Sequence, residues 1–306
     1  MIRVEEDKKK LMRRGATASV TVALVLITTK VVAYAETNSV ALLGSLADSS
    51  LDFIVSIVNL LAIRAALVPA DKDHRFGHGK AEAIAGLFQT SLILVSAAYL
   101  GWRSFKQINE PVVLEHGFLG VAVSVFAIIV TLCLVTYQKH IVSETGSVAI
   151  SADRLHYVGD IMLNLAVIAA LLLATGADFP EADGIFGMAI AAYIAFSAWS
   201  IAGQSIDVLM DKEFSEGDRE KIFNLVMGNA QVKGIHDLKT RRSGLTAFIQ
   251  FHIELDPGMN LVEAHAVGDE VEAIVGEAFP NAEILIHTDP LGLEDNDTHD
   301  ELEPEA

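Results

Sequence analysis

Residues 184–206 read GIFGMAIAAYIAFSAWSIAGQSI, without one Asp, Glu, Lys or Arg. About 20 apolar residues in a helix cross the roughly 30 Å of hydrocarbon in a bilayer. Residues 117–138, GFLGVAVSVFAIIVTLCLVTYQ, are equally free of charge. Working outward from these two, further apolar segments cover about 15–34, 39–68, 83–107 and 147–174, and the first two extend to about 114–137 and 183–206. Six transmembrane helices are expected. The whole chain agrees: of 306 residues 52% are hydrophobic and 20% charged, and the mean hydropathy is +0.41. That argues against a wholly soluble or disordered protein.

Lys and Arg set the orientation. The N-terminal arm, 1–14, holds Lys8, Lys9, Lys10, Arg13 and Arg14, and the connections after the second and fourth segments hold Lys72, Arg75, Lys80 and Lys139. The opposite connections carry Glu36, Glu110, Glu115, Asp178 and Glu181 instead. Basic loops stay in the cytoplasm, so both termini are expected there. Lys30, Arg103 and Lys106 fit less well and are expected to snorkel to the interface. The basic start followed by long apolar segments, without a small-residue cleavage motif, does not read as a cleavable signal peptide.

The formal charge is −18, which argues against a nucleic-acid partner, since phosphate needs a basic footprint. Seven of the acids crowd between Glu294 and Glu305, so 291–306 is expected to be a solvated, disordered tail. The single cysteine, Cys133, allows neither an internal disulfide nor a thiolate metal site of the CxxC kind.

Composition changes near Asp211. Residues 215–230 read as an amphipathic helix with Ser215 as its N-cap, 234–242 and 246–255 as strands joined at Ser243-Gly244, 261–278 as a helix and 282–288 as a strand. The expected fold is thus a membrane all-α unit of six helices, 15–208, followed by a small α+β (αββαβ, ferredoxin- or metallochaperone-like) cytoplasmic domain, 209–290.

The second segment contains Asp48 and Asp52, and the fifth His156 and Asp160; each pair is spaced i, i+4, so each shares one helix face. Packed together, the two faces would offer three carboxylates and one imidazole, a set suited to tetrahedral Zn2+. Ionisable groups at this depth are costly and functional by default. A dication or protons must offset the repulsion between the acids, so metal and proton compete for one ligand set, with His156 the natural coupling group. Arg154, next to Asp153, is expected either to face a cytoplasmic vestibule or to pair with Asp153.

Two more constellations lie on the cytoplasmic side. Asp71, His74 and His78 in the loop after the second segment can hold a metal, with Asp73 as a substitute ligand. In the soluble domain His236, His252, His265, His287 and Asp289 suit one or two metals. His287 and Asp289 alternate and therefore share a strand face, whereas Asp237, adjacent to His236, is expected to point away.

These motifs, with the segments GIHDLKTRRSG (234–244) and ILIHTDP (284–290), resemble the cation diffusion facilitator family over about residues 8–290, in particular its bacterial zinc and ferrous-iron efflux branch. The resemblance implies a proton-coupled antiporter, not an enzyme. It would export Zn2+, Fe2+ or Cd2+ by alternating access, as a homodimer in the bacterial inner membrane. Asp48, Asp52, His156 and Asp160 would be the transport site, and Asp71, His74 and His78 a second site. His236, His252, His265, His287 and Asp289 would form a binuclear site bracing the dimer. Lys80 and Asp211 sit where the family has an intersubunit charge pair. Histidine at position 156 favours borderline metals over manganese.

Two competing readings weigh less. An intramembrane metalloenzyme needs a nucleophile or general base at an open metal position; Ser45, Ser49 and Ser50 lie near Asp48, but no HExxH occurs. A membrane-anchored metal sensor has no use for buried intramembrane acids.

Overall fold

The computed structural model describes residues 2–37, 40–109, 118–176 and 182–292. The acidic stretch from Glu294, and Glu110, Glu115, Asp178 and Glu181 of the outer connections, lie outside the described residues.

Six long helices come first: α1 (Ile2–Thr37), α2 (Val40–Ala66), α3 (Lys80–Asn109), α4 (Phe118–Thr145), α5 (Val148–Gly176) and α6 (Ala182–Leu209). Among the described residues, five stretches are long and apolar enough to cross a membrane: Glu6–Glu36, Ser49–Ala66, Lys80–Asn109, Ala122–Thr145 and Gly184–Leu209. Helix α5 has 29 residues, and its first half carries Asp153, Arg154, His156 and Asp160. The basic arm is not separate from the first span. Both belong to the 36-residue α1, whose length of about 54 Å at 1.5 Å per residue exceeds the hydrocarbon core, so its charged first turns extend beyond it.

Within the bundle α1 packs on α2 and α4, α5 on α4 and α6, and α3 on α6. Small residues allow the α3–α6 approach: a Cβ on Gly187 would overlap Ser104 Oγ, and one on Gly184 would lie 2.9 Å from the Ser104 carbonyl oxygen. Lipid supplies no hydrophobic force between helices, so this close packing is what holds the pair. Exposed Trp102, Phe105, Phe196 and Trp199 on the same two helices suit a lipid-facing surface.

The second part comprises α7 (Glu216–Met227), β1 (Gly234–Ser243), β2 (Thr246–Leu255), α8 (Leu261–Ala278) and β3 (Ala282–Pro290). Ser215 caps α7, accepting from the Asp218 N–H; Asn260 and Glu263 close a reciprocal capping box on α8. The sheet order is β1-β2-β3, antiparallel then parallel. Strand alternation turns Ile249, Phe251, Ile253 and Leu255 of β2 into a core with Ile222 and Val226 of α7 and Val267, Val271 and Val275 of α8. Gln250, His252 and Glu254 therefore face the other side of the sheet.

Candidate metal centres

The first centre joins α2 to α5. His156 Nε2 lies 2.9 Å from Asp52 Oδ1 and 3.8 Å from Asp160 Oδ2. The three side chains are half-buried, and their ligand atoms all lie within 4.8 Å of one another, so one ion can be shared. Asp48 sits one turn before Asp52 on α2, but its side chain lies outside the described residues. Asp153 does not bond to Arg154. Its carboxylate accepts from Ser19 Oγ at 2.6 Å, Gln138 Nε2 at 2.7 Å and Gln89 Nε2 at 3.2 Å, while Arg154 Nε is buried without a hydrogen-bond partner among the described residues. Lys30 does not simply reach for the interface either: its Nζ donates to Ser49 Oγ at 2.6 Å.

The second centre is the loop between α2 and α3. Asp71 Oδ1 accepts the backbone N–H of Asp73 at 2.9 Å and of His74 at 2.7 Å, folding the loop around its own carboxylate. His74 Nδ1 then lies 3.5 Å and His78 Nε2 3.4 Å from Asp71 oxygens, and Gly77 turns the chain at φ +77°. The His74 N–H, ahead of an opposing contribution from desolvation, holds the Asp71 carboxyl below its ordinary value; the Asp73 N–H and the two imidazoles add to this. An acid kept ionised is a ready cation ligand. Asp73 contributes its amide to this fold and stands outside the ligand group.

This loop is seated on the soluble domain. Phe76 meets Phe248 edge-on at 5.6 Å, and the Arg241 guanidinium lies over both rings, at 4.6 and 4.4 Å. The absence of a side chain at Gly79 lets the loop backbone touch Ser243; a Cβ there would overlap the Ser243 carbonyl. Arg241 also reaches Asp211 at 3.4 Å, and Asp211 accepts from Lys80 Nζ at 2.9 Å within the same chain.

The third centre crosses the outer face of the sheet. The register sets His236 opposite His252 and His252 opposite His287, with ring centroids 5.1 and 4.7 Å apart. Asp289 collects all three: Oδ2 lies 2.8 Å from His252 Nδ1 and 3.5 Å from His236 Nε2, and Oδ1 lies 3.0 Å from His287 Nε2. His236, His252 and Asp289 lie close enough for one ion, with ligand atoms within 4.8 Å of one another. The structure adds two acids, Glu254, which the sequence reading does not single out, and Asp237, expected to point away. Glu254 Oε1 approaches His236 Nδ1 at 3.7 Å, and Asp237 Oδ2 approaches His252 Nε2 at 3.8 Å. Strict alternation predicts Asp237 pointing away, but the β1–β2 register shifts between His236 and Lys239 and Asp237 adopts φ +50°, which breaks the alternation. For Glu254 the signal was present, because it alternates with His252. His265 is not brought in: it is exposed on α8 beside Asp269 at 3.7 Å, outside the group within one chain.

Both parts of the chain match known proteins. Residues 16–210 match the cation efflux transmembrane domain and residues 214–291 the cytoplasmic domain of cation efflux proteins. The chain is 44% identical over 283 residues to the cation-efflux pump FieF of Shewanella oneidensis, covering 92% of this chain and 95% of that one. It is 41% identical over 290 residues to the FieF of Serratia proteamaculans, covering 95% and 96%. The metal-bound C-terminal domain of the CzcD transporter from Thermotoga maritima matches 26% of this chain and 93% of its own, at 26% identity and a TM-score of 0.25.

Proposed function

The chain belongs to the cation efflux family and is a multi-pass divalent-cation efflux transporter, and on that premise we propose that it exports Zn2+ from the cytoplasm in exchange for protons, as a homodimer working by alternating access. Fe2+ and Cd2+ are further substrates compatible with the same ligands. The membrane is the bacterial inner membrane, with both termini cytoplasmic, in keeping with the basic arm and the basic loops.

The observation that carries this reading is His156 Nε2 poised between Asp52 and Asp160. One imidazole and two carboxylates, joined by Asp48 from α2, make a four-ligand set. When the set is protonated, the imidazolium satisfies the acids. When Zn2+ enters, the ring nitrogen must give up its proton to bind, so loading releases protons. Opening the site alternately to each side of the membrane converts that exchange into antiport.

Asp71, His74 and His78 form a second site at the junction of the two parts. His236, His252, His287 and Asp289, with His265, form the binuclear site that braces the dimer. His265 standing outside the cluster within one chain supports a site completed across two copies.

The test is Zn2+ uptake into reconstituted vesicles with a pH dye inside, for Zn2+, Fe2+ and Mn2+, with Asp160→Ala as control. Zn2+ flux with opposing proton flux, lost in the variant, is the expected result. No flux for any metal, with metal still bound by the soluble domain, overturns the antiporter and favours a sensor.

A further inference from the structure

Only two carboxylates are buried among the described residues, Glu82 and Asp153, and Asp153 is 1% exposed. Asp153 is no ligand in any of the three centres. A carboxylate in such surroundings costs stability unless donors surround it, and here donors converge from three other helices: Ser19 of α1, Gln89 of α3 and Gln138 of α4. One turn further along α5, the hydroxyl of the 1%-exposed Tyr157 pairs with Ser56 of α2 at 3.0 Å and donates to the Ser19 carbonyl at 3.3 Å. Two residues of α5, one turn apart, thus grip the same residue of α1, one by its side chain and one by its backbone. Such a hold prevents α5 from turning about its axis.

The ligand pair repeats the anchor pair three residues later: Asp153 and Tyr157, then His156 and Asp160. Three residues displace a side chain by about 60° around a helix. One stripe of α5 therefore grips α1 while the neighbouring stripe presents its ligands to Asp52 of α2. The magnitude matters. A turn of α5 by about 20° would carry an atom about 5–6 Å from the axis through about 2 Å, whereas metal–ligand distances tolerate roughly 0.2 Å.

We infer that Asp153 is a positioning residue for the transport site: its carboxylate, held by Ser19, Gln138 and Gln89, sets the rotation of α5 that brings His156 and Asp160 to Asp52. The inference rests on the transport-site reading above.

The experiment transposes the buried carboxylate. Gln138→Glu sets two carboxylates against each other. Gln138→Glu with Asp153→Asn moves the acid to α4 and the amide to α5. The amide introduced on α5 then donates to the carboxylate introduced on α4 and accepts from Gln89, while Ser19 donates to that carboxylate. The purified full-length protein is titrated with Co2+, and the tetrahedral d–d absorption that Asp160→Ala removes defines the transport site. Thermal midpoints and the Zn2+ KM and kcat in vesicles are measured alongside. Gln138→Glu is expected to weaken Co2+ binding there about 10–100-fold, the range for groups that orient metal ligands, and to raise KM more than it lowers kcat. The double variant is expected to recover both. Ser19→Ala, which removes one of three donors and changes little volume, is expected to weaken binding while lowering the thermal midpoint only modestly, the two remaining donors still holding the carboxylate; it decides the matter if Gln138→Glu does not fold. Parental binding in Ser19→Ala or in a folded Gln138→Glu overturns the inference, as does a folded double variant that fails to recover. If Asp160→Ala leaves the Co2+ spectrum unchanged, the transport-site reading has failed instead.

Discussion

His252 and His287 stand opposite one another on the parallel strands β2 and β3, their rings 4.7 Å apart, and both reach the Asp289 carboxylate, at 2.8 and 3.0 Å. Since His236 reaches it too, one side chain organises the third centre. Asp289→Ala is expected to raise the Zn2+ Kd of the cytoplasmic site about 100-fold, on the scale of losing a metal-organising group, and to weaken zinc-dependent dimerisation. Calorimetry and analytical ultracentrifugation of the full-length protein read the two effects. Unchanged stoichiometry and affinity would remove Asp289 from the site.

In the membrane, Asp52→Ala removes the acid nearest His156 among the described side chains. Zn2+ flux is expected to fall at least ~100-fold, the upper end of what loss of a ligand-orienting group alone costs, while metal binding by the soluble domain persists. Retained flux in vesicles would place the transport route elsewhere.

The junction between the two parts has its own pH dependence. Burial pushes the Asp211 carboxyl upward, but Lys80 and Arg241 outweigh it and hold the group below its ordinary value. A depressed acid stabilises the folded form above the unfolded pKa of about 3.9 and loses that contribution as pH falls toward its folded value. The thermal midpoint of the parent should therefore drop more steeply than that of Asp211→Asn below about pH 4. Coincident profiles from neutral pH down through that range would show that the pair does not stabilise the junction.

Gly187 tests the α3–α6 packing. A Cβ there overlaps Ser104 Oγ, so Gly187→Ala is expected to cost about 1–3 kcal/mol, the usual range for overpacking. A lowered thermal midpoint in detergent, restored by adding Ser104→Gly, is the expected result.

How legible was all this beforehand? The helices of the bundle were readable because a bilayer demands long apolar segments whatever packs around them. The αββαβ order was readable from alternation and caps, and the strand and helix bounds of the soluble part differ from expectation by a few residues at most. Asp52, His156 and Asp160 announced themselves as ionisable groups where such groups are expensive. Ser19, Gln89 and Gln138 did not, since uncharged polar residues inside apolar helices are common and carry no spacing of their own.

Periodicity, charge and helix length are local properties, so the order of amino acids alone dictates what each segment is and which residue types are available to a metal. It also dictates that Asp48 shares a face with Asp52, and His156 with Asp160. Which faces meet is a matter of the folded chain: α5 turns Asp153 and Tyr157 toward Ser19 and leaves His156 for Asp52. The folded sheet likewise carries Asp237 to His252 through a β-bulge, and leaves His265 outside the cluster formed by one chain. Those choices depend on the rotation of one helix against three others and on strand register, and both are set by contacts between residues far apart in the chain.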